Sequence, residues 1–431
     1  MKMSIISLGC CKNLMDSELF LGMAKQYNIE ITNDYNKADI IAINTCGFIT
    51  SSKEESIDTI IEMLDYQTVG KKILVMGCLV ERYLEVLKAE IPEVDFFIPI
   101  KDYNELSSFF NSITQKNLRQ DFYKVNRILS TPKNTAYLRI GEGCSNNCTY
   151  CAIPLIRGPY RSRPYQDIMN EVLYLHNQGI QELTLIQQDT SKYGIDLENM
   201  SLAKLLDDIC SLNYFKWVRV LYLYPDEITD ELINVFKKHD SLLNYFDIPI
   251  QHASDKILNS MNRRGSSKLI KSLIQKIRKE IPNSIIRSTL IVGFPGETTN
   301  DFNVLFNFIK DIQFDHLGVF TYSDEEGTKA YNFNHKVKAS TSEKRKEQIM
   351  LLQYNINHKR LSGLINTVVT AIVDHYDFEQ KQYALRYFAQ ALDDADGYIY
   401  VSHSNLTIGS FVEVEITGVQ DYDLIGKIKE F

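Results

Sequence analysis

Followed for its apolar and polar positions, the chain changes character twice. Over residues 1 to about 120, short β-rich apolar runs (MSIISL, IIAIN, KILVM, DFFIPI) alternate with amphipathic stretches such as DSELFLGMAKQY, SKEESIDTIIEMLDY and ERYLEVLKAE. Runs that are apolar on nearly every position predict strands covered on both faces, and the stretches between them predict helices. The segment therefore reads as a small doubly wound α/β domain with a parallel sheet. After it, the polar and weakly patterned KNLRQDFYKVNRILSTPKNT is expected to be a linker.

From about 135 to 335 the alternation resumes. AYLRI, ELTLIQQ, WVRVLYLY, YFDIPIQ, IIRSTLIVGF and HLGVFTY are the strand candidates, each followed by a helical pattern. Successive βα units predict a partial (βα)6 barrel, whose chemistry belongs at the carboxyl ends of its strands. SEKRKEQIMLLQYNINHKRL then predicts a long helix, and 361–431 switches to β patterning (TVVTAIV, YALRYFAQA, GYIYVS, FVEVEITGV, LIGKIKEF). That pattern predicts a small antiparallel β-barrel. The expected domains are 1–120, 130–360 and 361–431.

Composition narrows the class. The chain has 431 residues, 44% hydrophobic and 24% charged, an ordinary soluble globular composition. Its N-terminal apolar stretch is too short for a signal peptide, and no run approaches the ~18–20 apolar residues of a membrane span. A cytoplasmic protein with no membrane partner is expected. There, eight cysteines point to metal or catalytic use rather than to disulfides.

The segment GEGCSNNCTYCAIP (141–154) spaces Cys144, Cys148 and Cys151 as C-x3-C-x2-C. Structural zinc wants four protein ligands, and no fourth cysteine follows within fifty residues. Three thiolates suit a [4Fe–4S] cluster in which one iron lacks a protein ligand, and such an iron can bind a small molecule and pass it an electron. The loop also follows the first predicted barrel strand, where a barrel active site belongs. TLIVGFPGE (289–297) is a buried strand pattern ending in Gly293 and Gly296, which would let the backbone approach a ligand closely or simply form a βα turn. IQQD (186–189) and PIQHAS (249–254) put Gln188, Asp189 and Gln251 at strand ends, where they would face the site or cap turns.

The first domain carries its own set. SIISLGC ends at Cys10, IIAINTC at Cys46 and ILVMGC at Cys78, each just past a predicted strand, 36 and 32 residues apart. Ligands of open parallel sheets bind along that edge. Buried cysteine used as a small hydrophobe is the plain alternative, but it does not select one edge three times. A second [4Fe–4S] cluster is expected there. Cys210 falls in an amphipathic pattern and is expected in the core, and Cys11 is expected to be an incidental free thiol.

The Cys-x3-Cys-x-aromatic-Cys loop, with Tyr150 as the aromatic, resembles the radical S-adenosylmethionine signature. Together with the N-terminal three-cysteine domain and a TRAM-type C-terminal barrel, nearly the whole chain resembles the methylthiotransferases. The resemblance implies two [4Fe–4S] clusters and S-adenosylmethionine. The open iron of the Cys144–Cys148–Cys151 cluster would chelate its amino and carboxylate groups, with Tyr150 near the adenine and the Gly293–Gly296 segment in contact with it. Reductive cleavage would give a 5′-deoxyadenosyl radical that abstracts hydrogen from an unactivated carbon. The Cys10–Cys46–Cys78 cluster would handle a sulfur methylated by a second S-adenosylmethionine, and CH3–S would join the carbon. An external sulfur source and an electron donor are implied as partners. Where the family often has GCPKN, this chain has GCCKN, with Cys11 in place of proline.

Charge bears on which branch of the family this is. Residues 361–431 hold eleven acidic and four basic residues, a net of −7 within a chain total of −8. Nucleic-acid binding needs Lys and Arg at phosphates, so an acidic barrel disfavours transfer RNA and favours a basic protein. IQQDTSKYGIDL, LYLYPDEIT, YFDIPIQHASDKIL and YSDEEGTKA are similar to the ribosomal-protein branch. That branch implies methylthiolation at the β carbon of a loop aspartate in small-subunit ribosomal protein S-twelve (uS12). The other branch modifies a transfer RNA adenosine, and a reading of a different class is a zinc-holding RNA-binding protein. Asp393, Asp394, Asp396, Asp421 and Asp423 are expected to be exposed docking acids on the barrel.

Overall fold

Neighbouring residues of the N-terminal strands bury against different helices. A computed structural model of the chain describes residues 1–101, 104–118, 126–393 and 395–429. It forms β1 (Lys2–Ser7), α1 (Cys11–Gln26), β2 (Glu30–Ile31), β3 (Ile40–Thr45) and α2 (Thr50–Leu64), then β4 (Lys72–Gly77), α3 (Cys78–Glu90), β5 (Phe96–Ile98) and α4 (Asn104–Thr114). The strands make one parallel sheet in the order β2-β1-β3-β4-β5. Ala42, Leu74 and Met76 share a core with Phe20 and Met23 of α1 and Phe110 of α4. Ile41, Ile43, Ile73 and Val75 share another with Ile60 and Met63 of α2 and Leu79 and Val80 of α3. This two-residue alternation, apolar on both faces, is why β3 is buried along its whole length and the domain is doubly wound. The strand order reverses between β1 and β3, and such a switch point leaves a crevice beyond the carboxyl ends of those strands. Part of the expected linker, 119–125, lies outside the described residues.

Next come β6 (Thr135–Arg139), β7 (Gly141–Glu142), α5 (Ile153–Arg157) and β8 (Arg161–Ser162). They are followed by α6 (Tyr165–Asn177), β9 (Glu182–Ile186), α7 (Leu202–Ser211), β10 (Trp217–Val220), α8 (Asp230–Lys238) and β11 (Leu242–Asp247). After α9 (Asp255–Ser260) and α10 (Ser267–Glu280) come β12 (Ile285–Val292), α11 (Thr299–Ile312) and β13 (His316–Thr321). A six-stranded parallel sheet runs β13-β12-β11-β10-β9-β6, the expected (βα)6 succession with β6 and β13 as its edges. β10 stops at Val220, short of the apolar run, because Tyr222 turns through a φ of 64°. The long helix α12 (Ala339–Ser362) follows, anchored by a Gln353 Nε2 bond to the Phe314 carbonyl at 2.8 Å.

The C-terminal strands β14 (Val368–Asp377), β15 (Gln382–Tyr387), β16 (Ile399–Val401), β17 (Phe411–Gln420) and β18 (Asp423–Ile428) close into a barrel. Its pairs are antiparallel except β16 with β18, which run parallel.

By contact density the chain forms two compact units. The first comprises residues 1–130, 142–163 and 323–331, and the second comprises 131–141, 164–322 and 332–431. The second therefore holds both the six-stranded sheet and the barrel. Arg386 of β15 donates to Glu182 of β9 (2.6 Å) and to Asp374 of β14 (2.6 Å), while Arg219 of β10 lies 3.4 Å from Glu182. All four side chains are fully or almost fully buried. Burial would raise the Glu182 carboxyl, but Arg386 and Arg219 hold it below its usual value.

The acidic turn of the barrel corrects one expectation. Asp393 forms a two-pronged pair with Arg287 of β12 at 2.9 and 2.7 Å. Asp396 is 4% exposed, accepts from the Tyr245 hydroxyl at 2.5 Å and faces His316 at 3.4 Å. Asp423 is part-buried and accepts from the Tyr398 amide. Asp393 and Asp396 are consumed within the fold because the six-stranded sheet presents Tyr245, Arg287 and His316 to that turn, and Asp423 is engaged within the barrel itself. Asp421 alone of the described members is exposed, and Asp394 lies outside the described residues.

Candidate functional site

β1 and β3, which border the switch point, and their neighbour β4 each deliver a cysteine past the carboxyl end. Cys10 precedes α1, Cys46 follows β3 and Cys78 opens α3. Cys10 is exposed, while Cys46 and Cys78 are buried. Glycines permit the approach. Gly9 has a φ of 84°, and a Cβ there would stand 2.8 Å from Cys46 Cβ and 3.0 Å from its sulfur. Gly77 has a φ of 107°, and a Cβ there would overlap the Thr45 carbonyl. Both conformations favour glycine, and both positions lack room for any side chain.

A polar frame holds the three strand ends together. Asn13 is fully buried, and its Nδ2 donates to the carbonyls of Leu8 (3.1 Å) and Thr45 (3.0 Å). Its Oδ1 accepts from the Cys78 thiol at 3.2 Å and from Arg157 Nη2 at 2.7 Å. Asn44 donates to the Asn13 carbonyl at 2.7 Å, and Ser56 Oγ bonds both the amide and the carbonyl of Cys46. Burial pushes the Cys78 thiol up to about 12, with the Cys10 and Cys46 charges adding to the effect and Arg157 opposing it. Burial raises Cys46 as well, and the nearby Cys10 adds repulsion. Collected, desolvated thiols are poor acids until a metal takes the proton's place.

The local cysteine loop belongs to the same unit. Cys144 N donates to the Gly158 carbonyl (3.2 Å), Cys151 N to the Cys148 carbonyl (3.1 Å) and Ala330 N to the Thr149 carbonyl (2.8 Å). The loop runs into α5, whose Ile156, with the preceding Ala152, packs in the core that contains Cys78, Phe20 and Leu106. Arg157 at the end of α5 pairs with Asp16 at 2.7 Å and lies 3.4 Å from the Cys78 sulfur. One compact unit thus holds Cys10, Cys46, Cys78, Cys144, Cys148, Cys151 and Tyr150. Among the described residues, no three Cys, His, Asp or Glu side chains converge on a single-ion site. Each set offers three thiols, which fit a four-iron cluster with one open iron better than four-ligand structural zinc.

Gln188, Gln251, Gly293 and Gly296 lie in the second unit. The chain turns left-handed after β10, β11 and β12, at Tyr222 (φ 64°), Gln251 (φ 68°) and Gly293 (φ 77°). Two of these are not glycine, and strained backbone of this kind concentrates at ligand sites. Gln251 spans the strand ends, its amide on the Thr289 carbonyl and its carbonyl on the Ile291 amide. Gly293 is needed for a reason within the fold, since a Cβ there would overlap the Ser342 hydroxyl of α12. Beside Gly296 (φ 83°) no atom comes within 4 Å of such a Cβ. Asp189 accepts from the Ser191 hydroxyl at 2.6 Å and so serves its own turn. Glu297 shapes the glycine turn by accepting from the amides of Gly293 (2.6 Å) and Phe294 (3.2 Å), with Arg345 at 2.8 Å behind it. Buried His252 stands 3.8 Å from Glu297 and is held down to about 4 by burial. Cys210 is buried on α7, as a core residue.

Sequence reasoning did not reach Asn13, Asn44, Arg157, His252 or Glu297. Asn13 stands three residues after Cys10, and Glu297 closes the GFPGE segment.

Residues 2–99 match the uncharacterized protein family UPF0004, 138–309 the Radical SAM superfamily and 365–428 the TRAM domain. The chain is similar to proteins described as ribosomal protein uS12 methylthiotransferase RimO. It is 45% identical to that of Clostridium novyi over 438 residues, covering 99% of this chain and 98% of the relative. Identity is 44% to that of Alkaliphilus oremlandii, covering 99% of both chains. It is 42% to that of Aquifex aeolicus, covering 100% of this chain and 98% of the relative. Among solved structures, the radical S-adenosylmethionine methyltransferase TsrM of Kitasatospora setae is similar in fold, with a TM-score of 0.55 at 11% identity over 74% of this chain and 72% of that one. The cobalamin-dependent S-adenosylmethionine radical enzyme OxsB gives 0.52 at 12% identity over 82% of this chain and 57% of that one.

Proposed function

This chain belongs to the RimO family of ribosomal protein uS12 methylthiotransferases, and from that premise we propose how its residues divide the reaction. It is a radical S-adenosylmethionine methylthiotransferase acting on uS12, with S-adenosylmethionine and [4Fe–4S] as its cofactors. Cys144, Cys148 and Cys151 hold one cluster, and Cys10, Cys46 and Cys78 hold the second. The observation that carries the second assignment is the convergence of three thiols at one sheet edge, framed by Asn13, with burial pushing Cys46 and Cys78 up. When bound, the clusters and S-adenosylmethionine supply the one-electron chemistry, the sulfur and the methyl group.

The chain's own residues position and exclude water. Asn13 fixes the three strand ends relative to one another. Glu297 holds the Gly293–Gly296 turn, and the S-adenosylmethionine contacts we assign within the second unit are Gly293, Gly296, Gln188 and Gln251; Tyr150 of the cysteine loop is assigned to the same cofactor by the family signature alone. The strained backbone at Tyr222 and Gln251 orders the strand ends beside them. The reacting carbon is the β carbon of a uS12 aspartate. Each turnover consumes a sulfur atom and reducing electrons, so we assign an external sulfur source and an electron donor as partners, and a ribosomal substrate supports a cytoplasmic location. Among the described residues no helix is long and apolar enough to cross a membrane. The domains we assign are cluster binding over 1–120, the radical core over 130–360 and the TRAM-like barrel over 361–431, a reading supported by family matches over 2–99, 138–309 and 365–428.

The test is mass spectrometry of uS12 after incubation with the anaerobically reconstituted enzyme, reductant and a sulfide source. One methylthio group should replace one hydrogen on an aspartate. Modification of transfer RNA instead would transfer the assignment to the other branch.

A further inference from the structure

We propose that Arg157 is a positioning residue through which the loop bearing Cys144, Cys148 and Cys151 sets the charge and geometry of the Cys10–Cys46–Cys78 site. The inference rests on the reading that this second site holds a cluster. Arg157 closes the short helix that follows the loop, six residues after Cys151. Its guanidinium is buried and splits its donors. Nη1 meets Asp16 Oδ2 at 2.7 Å, and Nη2 meets both Asn13 Oδ1 at 2.7 Å and Cys78 Sγ at 3.4 Å. Glu142, two residues before Cys144, lies 3.7 Å away.

A simple tether between helix and sheet would need only the Asp16 pair. The second nitrogen is instead spent on the sulfur and on the amide that frames it. Because Asn13 also bonds the Leu8 and Thr45 carbonyls, a displaced guanidinium is felt at all three strand ends. Hydrogen bonds to ligand sulfurs and local charge are the levers by which a protein sets a cluster's reduction potential. A cation beside a thiolate-bound cluster favours the more negative, reduced state and raises the potential. Asp16 opposes it.

The experiment uses the full chain carrying Cys144→Ala, Cys148→Ala and Cys151→Ala, so that only the strand-end site can load. In this background Asp16→Asn, the double variant Asp16→Asn with Arg157→Gln, and Arg157→Lys are reconstituted anaerobically. Iron content, thermal melting and a redox titration followed by electron paramagnetic resonance are measured. Asp16→Asn should shift the potential upward. Adding Arg157→Gln should bring it below that of Asp16→Asn at similar iron content and melting temperature, since the charge pair is removed together. Arg157→Lys keeps the charge but cannot span both partners, and should also titrate below the background. It supplies the same comparison if the double variant fails to fold. Equal potentials in Asp16→Asn and the double variant, or in Arg157→Lys and the background, would reduce Arg157 to a structural tether and overturn the proposal. Absence of a four-iron cluster from the background itself would overturn the cluster reading, a failure visible in the iron content before any potential is compared.

Discussion

At the carboxyl edge of the N-terminal sheet, three thiols are brought together, and burial pushes two of them up with a single guanidinium in opposition. Where the barrel meets the six-stranded sheet, carboxylates are gathered just as densely, and each meets a cation. Glu182 and Asp374 have Arg386, Glu182 also has Arg219, Asp393 has Arg287, and Asp396 faces His316 and Arg287. Burial would raise the Asp396 carboxyl, yet His316 and Arg287 keep it low. Like groups gathered with too little countercharge to offset their burial are an unfavourable arrangement that a ligand relieves, and this marks a functional site. Like groups buried with countercharge form a structural joint. Counting acids along a segment does not separate the two cases; what packs against them does.

The largest effect tests the thiol side of the contrast. Cys148→Ala removes a proposed ligand in the local loop, and reductive cleavage of S-adenosylmethionine should disappear altogether. Cys46→Ala leaves that loop intact, so cleavage to 5′-deoxyadenosine should continue while methylthiolation of uS12 is lost. Chromatography of the cleavage product beside mass spectrometry of uS12 reads both. Equal cleavage by the two variants, or its loss in Cys46→Ala alone, would break the division between the sites.

How much of this was legible in the chain depends on the reach of each contact. The strands of both parallel sheets follow from local apolar runs, and the loop cysteines lie within eight residues of one another. Strand-end cysteines are legible as positions, because each falls just past a local apolar run. Arg157 was not, because its bond to Asn13 spans 144 residues and nothing local marks it. Asp396 is a polar residue in a polar turn, and only Tyr245, Arg287 and His316, from separate strands, decide that it is buried. The parallel pairing of β16 with β18 escaped as well, since alternation gives a strand its faces and not its direction.

The joint side of the contrast predicts a stability effect with no chemical one. Arg386→Met leaves Glu182 and Asp374 buried with Arg219 as the remaining nearby cation. Breaking a buried pair by removing one partner costs about 3–5 kcal/mol. Urea unfolding followed by fluorescence should show that loss, while S-adenosylmethionine cleavage per folded molecule is unchanged. Unaltered stability with abolished cleavage would make this network part of the site rather than a joint.

The smallest effect concerns acids that remain on the barrel surface. Glu379, in the turn between β14 and β15, and Asp421, between β17 and β18, are exposed, whereas Asp396 is buried. An exposed charge contributes only ~0–1 kcal/mol to any one contact. A few tenths of a kcal/mol corresponds to a roughly twofold change in rate or affinity. Glu379→Gln with Asp421→Asn should therefore slow association with basic uS12 about twofold at low ionic strength. At 0.15 M the difference should fade, because the screening length is then about 8 Å. Asp396→Asn removes one formal charge, half of what the surface pair removes, from the same module but from inside it. That change should lower the melting temperature by disrupting the Tyr245 and His316 contacts, and leave the association rate where it was. Stopped-flow association across a salt series, with melting curves for each variant, separates the two outcomes. If Asp396→Asn slows association as much per charge removed as the surface pair does, the module's net charge governs docking, and the contrast between matched buried acids and exposed ones carries no functional meaning.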